Sequence, residues 1–162
     1  LVEKYYFFTL LIQRKAFSLN NMIKKIYIAG PLFNVHEKKY LEEIAEVLEG
    51  ADFNCFLPHR DQKGIDPEEL KNNEMSQETK DIIFQTDIEA LKEADLIVAL
   101  VTGQDIDSGT ASEIGFMYAN NKPVIAITAE ERRYRNLFTA GMFTKTVHNI
   151  QEVLSSVEQF NS

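Results

Sequence analysis

The sequence predicts an α/β protein, built as a single doubly wound parallel sheet of about five strands flanked by helices. Its strand-length apolar runs, such as D-L-I-V-A-L-V at 95–101, are apolar without alternation, as strands covered on both faces are. Segments with helical spacing separate those runs, so strand and helix alternate along the chain. The 162 residues, 44% hydrophobic and 26% charged, suffice for one domain with a substantial core.

The elements follow in order. I-Y-I-A-G (26–30) reads as the first strand. Residues 35–49 read as a helix with Tyr40, Leu41, Ile44 and Leu48 on one face. F-N-C-F-L (53–57) is a second strand and 78–93 a second helix. D-L-I-V-A-L-V is the third strand, G-T-A-S-E-I-G-F-M-Y-A (109–119) the third helix, and P-V-I-A-I-T (123–128) the fourth strand. T-K-T-V-H-N-I reads as a short edge strand before a last helix, 151–160. Right-handed crossovers between such elements give a sheet of flavodoxin/Rossmann-like type, whose ligands bind beyond the carboxyl ends of the strands. Three loops leave those ends: G-P-L-F-N, P-H-R-D-Q-K-G and T-G-Q-D-I-D-S-G. The polar, irregular segment 58–77 is expected to form a lid or wall over them.

Residues 22–162 are expected to form the domain. Met22 stands directly before the first strand, so residues 1–21 read as an extension upstream of a native start at Met22. The alternative is an apolar arm packed on the domain or on a partner subunit. The apolar stretch within 1–21 is too short to span a membrane, and no clean cleavage site follows it.

The net charge is −8 and the pI about 4.9, which argues against a nucleic acid polymer as partner, because such binding rests on Lys and Arg contacts to phosphates. A single nucleoside or nucleotide in a small pocket remains compatible. The lone Cys55 excludes an internal disulfide, reads as core, and fits a cytoplasmic location. His36, His59 and His148 lack ligand-like spacing, so no metal site is expected.

Three carboxylates stand in unusual places. Asp87 has Ile83, Phe84, Ala90 and Leu91 one turn away on either side, so its helix face points to the sheet. It is either a buried cap for a loop or a proton donor or base-recognition group at a pocket floor. Glu113 sits at the margin of the face marked by Ile114, Met117 and Tyr118. It is either a solvated helix residue or a cleft carboxylate kept ionised by the helix dipole, as a glycosyl-transfer nucleophile must be. Asp107 caps the same helix or serves a ligand. Gly109 permits a tight turn and close approach, and Asp105 is expected to face solvent. Tyr27 lies near the end of the first strand, as a core aromatic or a site residue.

The chain resembles the nucleoside 2-deoxyribosyltransferases in I-Y-I-A-G-P-L-F, in Q-T-D-I-E-A-L-K-E-A-D, and most specifically in D-S-G-T-A-S-E-I-G-F-M-Y-A-N-N-K-P-V. The resemblance spans Ile26 to about Gly141. It implies that Glu113 attacks C1′ of deoxyribose to form a covalent glycosyl-enzyme, and that Tyr27 orients it. It implies that Asp87 contacts and protonates the departing base and that Gln62 reads the base edge. It gives Asp107 the sugar 5′-hydroxyl, and Asn136 the 5′-hydroxyl of a neighbouring subunit's substrate, hence a homo-oligomer with shared sites. Gly30 and Gly109 line the substrate site. The implied partners are 2′-deoxynucleosides and free nucleobases, with no cofactor.

Two departures from the family pattern stand out. Family members often end in an aromatic-bearing tail that closes a neighbour's site, whereas this chain ends Q-F-N-S with Phe160 alone, which would favour hydrolysis over transfer. Nucleotide-hydrolysing relatives bind a 5′-phosphate with a serine where Asp107 stands, so a free nucleoside is expected, although Ser108 is adjacent. The alternative activity is N-glycoside hydrolysis of deoxynucleosides or their 5′-monophosphates; a non-catalytic binding module is disfavoured by the three acids.

Overall fold

The computed structural model describes residues 22–65, 69, 75–102, 105–128 and 136–162. Five strands, β1 (Lys25–Ala29), β2 (Asn54–Phe56), β3 (Leu96–Leu100), β4 (Val124–Ile127) and β5 (Lys145–Val147), form one all-parallel sheet in the order β2-β1-β3-β4-β5. Among the described residues six helices accompany them: α1 (Val35–Glu49), α2 (Pro58–Asp61), α3 (Gln77–Glu93), α4 (Ser108–Ala119), α5 (Leu137–Ala140) and α6 (Ile150–Phe160). The chain runs outward from β1 to β2, then returns to the other side of β1 and continues through β3. The reversal lies between β1 and β3, at whose carboxyl ends sheets of this type bind ligands.

Each strand divides its side chains between two apolar layers. Ile26, Ile28, Val98, Ile125 and Ile127 pack with Leu41, Ile44 and Leu48 of α1 and Val153 and Val157 of α6. Tyr27, Ala29, Ile97, Ala99, Val124 and Ala126 face the opposite way, toward Leu91 of α3 and Ile114 and Met117 of α4. All of these are buried, which is why the runs read as apolar without alternation. Within the second layer, Ala29, Ala99 and Ala126 pair in register across three strands. The sheet therefore carries little side-chain bulk on that face just where α4 begins its descent from the carboxyl edge.

Caps set the element ends. Asn34 Oδ1 accepts the N–H groups of His36 and Glu37 at 3.0 Å each, while Glu37 Oε2 accepts those of Phe33 and Asn34 at 2.9 and 3.2 Å. This box fixes the loop after β1. At the opposite edge, Asp95 Oδ2 accepts the N–H groups of Lys24 and Lys25, each at 2.9 Å. Asn161 clasps Ile23: its Oδ1 accepts the Ile23 N–H at 2.6 Å and its Nδ2 donates to the Ile23 carbonyl at 3.0 Å.

The expected strands and long helices are all present, with ends that match or shift by one residue, except that the edge strand stops at Val147, three residues before the end of T-K-T-V-H-N-I. The segment 58–77 is not wholly irregular: Pro58–Asp61 make one helical turn and Gln77 opens α3. Residues 66–68 and 70–74, on which the expectation of a lid falls, lie outside the described residues, as does the 1–21 extension.

The central position of Ala99, at 0% exposure, gives a direct test of the alanine row. Ala99→Val is expected to lower stability by about 1–3 kcal/mol through overpacking, measured by urea denaturation.

Candidate active site

The site is built on β1. Tyr27 is fully buried, and its ring stacks on Phe56 of β2 at a centroid distance of 5.5 Å and an interplanar angle of 29°. The parallel register that places Tyr27 opposite Phe56 makes this contact. So held, the Tyr27 hydroxyl donates to Glu113 Oε1 on α4 at 2.6 Å. Oε2 has no bond among the described residues.

Asp107 is the N-cap of α4. Its Oδ2 accepts the Thr110 N–H at 3.0 Å and the Thr110 hydroxyl at 3.1 Å. The capping alternative is thus what the structure displays, with Oδ1 uncommitted among the described residues. Gly109 is not at a left-handed turn; it is an ordinary helical residue, and a Cβ there would stand 3.1 Å from Asp107 Oδ2. Gly30 likewise has a packing reason, since a Cβ would meet Leu41 Cδ2 at 2.8 Å and Leu100 Cβ at 3.0 Å.

Asp87 on α3 pairs with Gln62, the residue that ends α2; Gln62 Nε2 donates to Asp87 Oδ1 at 2.9 Å. Periodicity placed Asp87 toward the sheet among four apolar neighbours. In fact Leu91 is buried but Phe84 is 60% exposed, so Asp87 sits half-buried at the boundary of that face. Asp105 is exposed. Asn136 caps α5, its Oδ1 accepting the Thr139 N–H at 3.1 Å, and no described bond joins it to the cluster.

Burial dominates the electrostatics. It raises the Tyr27 hydroxyl well above its ordinary value, with the Glu113 and Asp87 charges adding to the effect, so Tyr27 remains a donor. Burial also pushes Glu113 from 4.5 up to about 7; the Tyr27 bond opposes this, and the charges of Asp87 and Asp107 reinforce it. Burial and the two neighbouring acids act against the helix dipole that was expected to hold this carboxylate ionised. Asp87 is raised by burial, against the opposing Gln62 bond. The cluster therefore combines an oriented carboxyl near its titration point with a second acid raised by burial, a pairing suited to nucleophilic and acid–base work.

Sequence reasoning missed Phe56, Thr110 and the direct Gln62–Asp87 pairing. The register of β1 against β2 was the signal for the first, and it is not written locally in either strand. Among the described residues no group of three His, Cys, Asp or Glu side chains could hold a metal ion, and no helix is long and apolar enough to cross a membrane. Cys55 is buried, with its thiol pushed up to about 12 by burial first.

A family model described as nucleoside 2-deoxyribosyltransferase matches residues 26–160. Among solved structures, a conserved protein from Enterococcus faecalis V583 is 28% identical with a TM-score of 0.70, the match covering 85% of this chain and 98% of that one. A 2-deoxyribosyltransferase from Bacillus psychrosaccharolyticus is 25% identical with a TM-score of 0.69, over 82% of this chain and 95% of that one. A CMP N-glycosidase from Clostridium botulinum shares the fold at 22% identity and a TM-score of 0.55, over 83% and 99% of the two chains. No curated protein matches.

An acid whose value is higher in the folded protein stabilises the fold at low pH and loses that contribution as pH rises through the folded value. For Glu113 the contribution is full below 4.5 and gone above about 7. A shift of that size corresponds to roughly 3 kcal/mol. Glu113→Gln is therefore expected to match the wild type in denaturant stability at about pH 4 and to exceed it at about pH 8.

Proposed function

Because the chain belongs to the nucleoside 2-deoxyribosyltransferase family, we propose that it transfers 2-deoxyribose between nucleobases by a retaining two-step reaction through a covalent glycosyl–Glu113 ester. The observation that carries the reading is the Tyr27–Glu113 bond of 2.6 Å, which fixes one carboxylate oxygen and leaves the other to attack.

In the first step Glu113 Oε2 bonds to C1′ as the C1′–N bond breaks. The bond electrons leave with the base, whose nitrogen takes the proton of Asp87. Gln62 holds the base edge beside Asp87. In the second step a nitrogen of an incoming base attacks C1′ from the vacated face. The ester opens, Glu113 recovers its charge, and Asp87 recovers a proton from the new base. Ionised Glu113 with protonated Asp87 is the productive state, and mutual repulsion favours a single charge on the pair. Tyr27 stabilises that charge on Glu113.

Asp107 offers its uncommitted Oδ1 to the sugar 5′-hydroxyl and repels a 5′-phosphate, which supports a free nucleoside as substrate. Asn136, whose Nδ2 donates to nothing among the described residues, reaches the substrate of a neighbouring subunit in a homo-oligomer. Hydrolysis of deoxynucleosides is the second reading. It shares the first step, with water in place of the incoming base in the second.

Deoxyadenosine incubated with cytosine is expected to yield deoxycytidine, followed by chromatography; free deoxyribose formed equally with and without cytosine would favour hydrolysis instead. Glu113→Ala is expected to abolish turnover. The alkaline limb of kcat/KM is expected near pH 7, where the pair loses its last proton, and to be absent from the residual activity of Asp87→Asn, which has no proton to lose at that position; an unmoved limb would detach Asp87 from the nucleophile. Asp107→Ser retains a good N-cap, so it is expected to weaken nucleoside binding with little change in melting temperature.

A further inference from the structure

Gln62 hangs from α2, a single turn in which none of Pro58–Asp61 is buried. Four residues do not hold a helix by their own hydrogen bonds, so the direction in which α2 delivers Gln62 must be set from outside. Arg60 supplies that constraint. Its guanidinium bonds along two edges at once. Nε and Nη2 donate to Asp61 Oδ1 and Oδ2 at 2.8 and 2.9 Å. Nη1 and Nη2 donate to Glu49 Oε2 and Oε1 at 3.2 and 2.7 Å. Nη2 also lies 3.3 Å from the Cys55 carbonyl oxygen. Asp61 Oδ2 in turn accepts the Leu57 N–H, at the entry to α2, at 2.8 Å.

One planar cation thus joins the last residue of α1, the middle of β2 and both ends of the α2 turn. Single exposed ion pairs contribute little. A fork that serves two carboxylates together, however, satisfies both in only one orientation. A second tie, His59 Nε2 to Glu42 Oε1 at 3.0 Å, links the same turn to the middle of α1. Gln62 follows directly and meets Asp87 at 2.9 Å.

We propose that Arg60 is a positioning residue for Gln62: it fastens α2 to α1 and β2 and so presents the Gln62 amide at the angle from which it meets Asp87 and the nucleobase. The inference rests on the reading of Asp87 and Gln62 as the groups that hold the base. Arg60 itself touches no substrate.

The test uses Arg60→Lys, which retains the charge but not the fork, and Glu49→Gln, which loosens the same contact from the other side. In substrate-free protein, the side-chain amide cross-peak of Gln62 in a 15N–1H spectrum is expected to shift in both variants. The amide of Gln77, bonded to Asp81 at 2.8 Å on α3, is expected to stay in place. With deoxynucleoside, kcat/KM is expected to fall by between about tenfold and a hundredfold in Arg60→Lys, but to change little when Arg60→Lys is added to Gln62→Ala. An unmoved Gln62 amide, or losses that add in full in the double variant, would overturn the proposal. Absence of deoxyribosyl turnover in the wild type would count against the transferase reading alone, and the amide spectrum would then decide the positioning role by itself.

Discussion

The hydrogen bond from Tyr27 to Glu113 is the constraint on which the site depends. A buried carboxyl beside two other acids has every reason to turn away or hold its proton. The phenol supplies the counterweight. It is itself immobile, because β1 lies inside the sheet and Phe56 stacks on its ring. Its own ionisation is suppressed by the same burial, so it can only donate. A strand residue and a helix residue 86 positions apart are thereby locked into one unit. The unit stands at the chain reversal between β1 and β3, and the short side chains of Ala29, Ala99 and Ala126 keep the neighbouring face of the sheet low.

The two faces of the sheet have separate duties. The layer under α1 and α6 is filled with large aliphatic side chains and carries no acid of the site. The layer under α3 and α4 mixes alanine with aromatic and sulfur-bearing residues, and the helices covering it bring in Asp87 and Glu113. α1 nevertheless acts across the divide. Through Glu49 and Arg60 it fixes the short turn that carries Gln62.

Much of this was legible in the sequence, for identifiable reasons. Uninterrupted apolar runs such as L-I-V-A-L announce a strand covered on both sides, so the parallel sheet followed. Glu113 at the edge of its helical stripe and Asp87 among apolar neighbours were both visible by period. The degree of burial was not: it depends on which helix lies alongside, and Phe84 turned out exposed beside Asp87. The α2 turn was invisible because four residues present no period. Its stability comes from Glu42, Glu49 and Asp61, of which only Asp61 is near in sequence. The upward shift of Glu113 was not legible, because a helix end is readable locally, whereas desolvation and neighbouring charges are properties of the assembled site.

The amide of Asn161 grips both backbone groups of Ile23 across a separation of 138 residues. It acts as an extra rung laid just ahead of β1, the strand that carries Tyr27. The strand that orients the reactive carboxyl is thus secured through a contact of long sequence separation, of the kind whose loop closure slows folding.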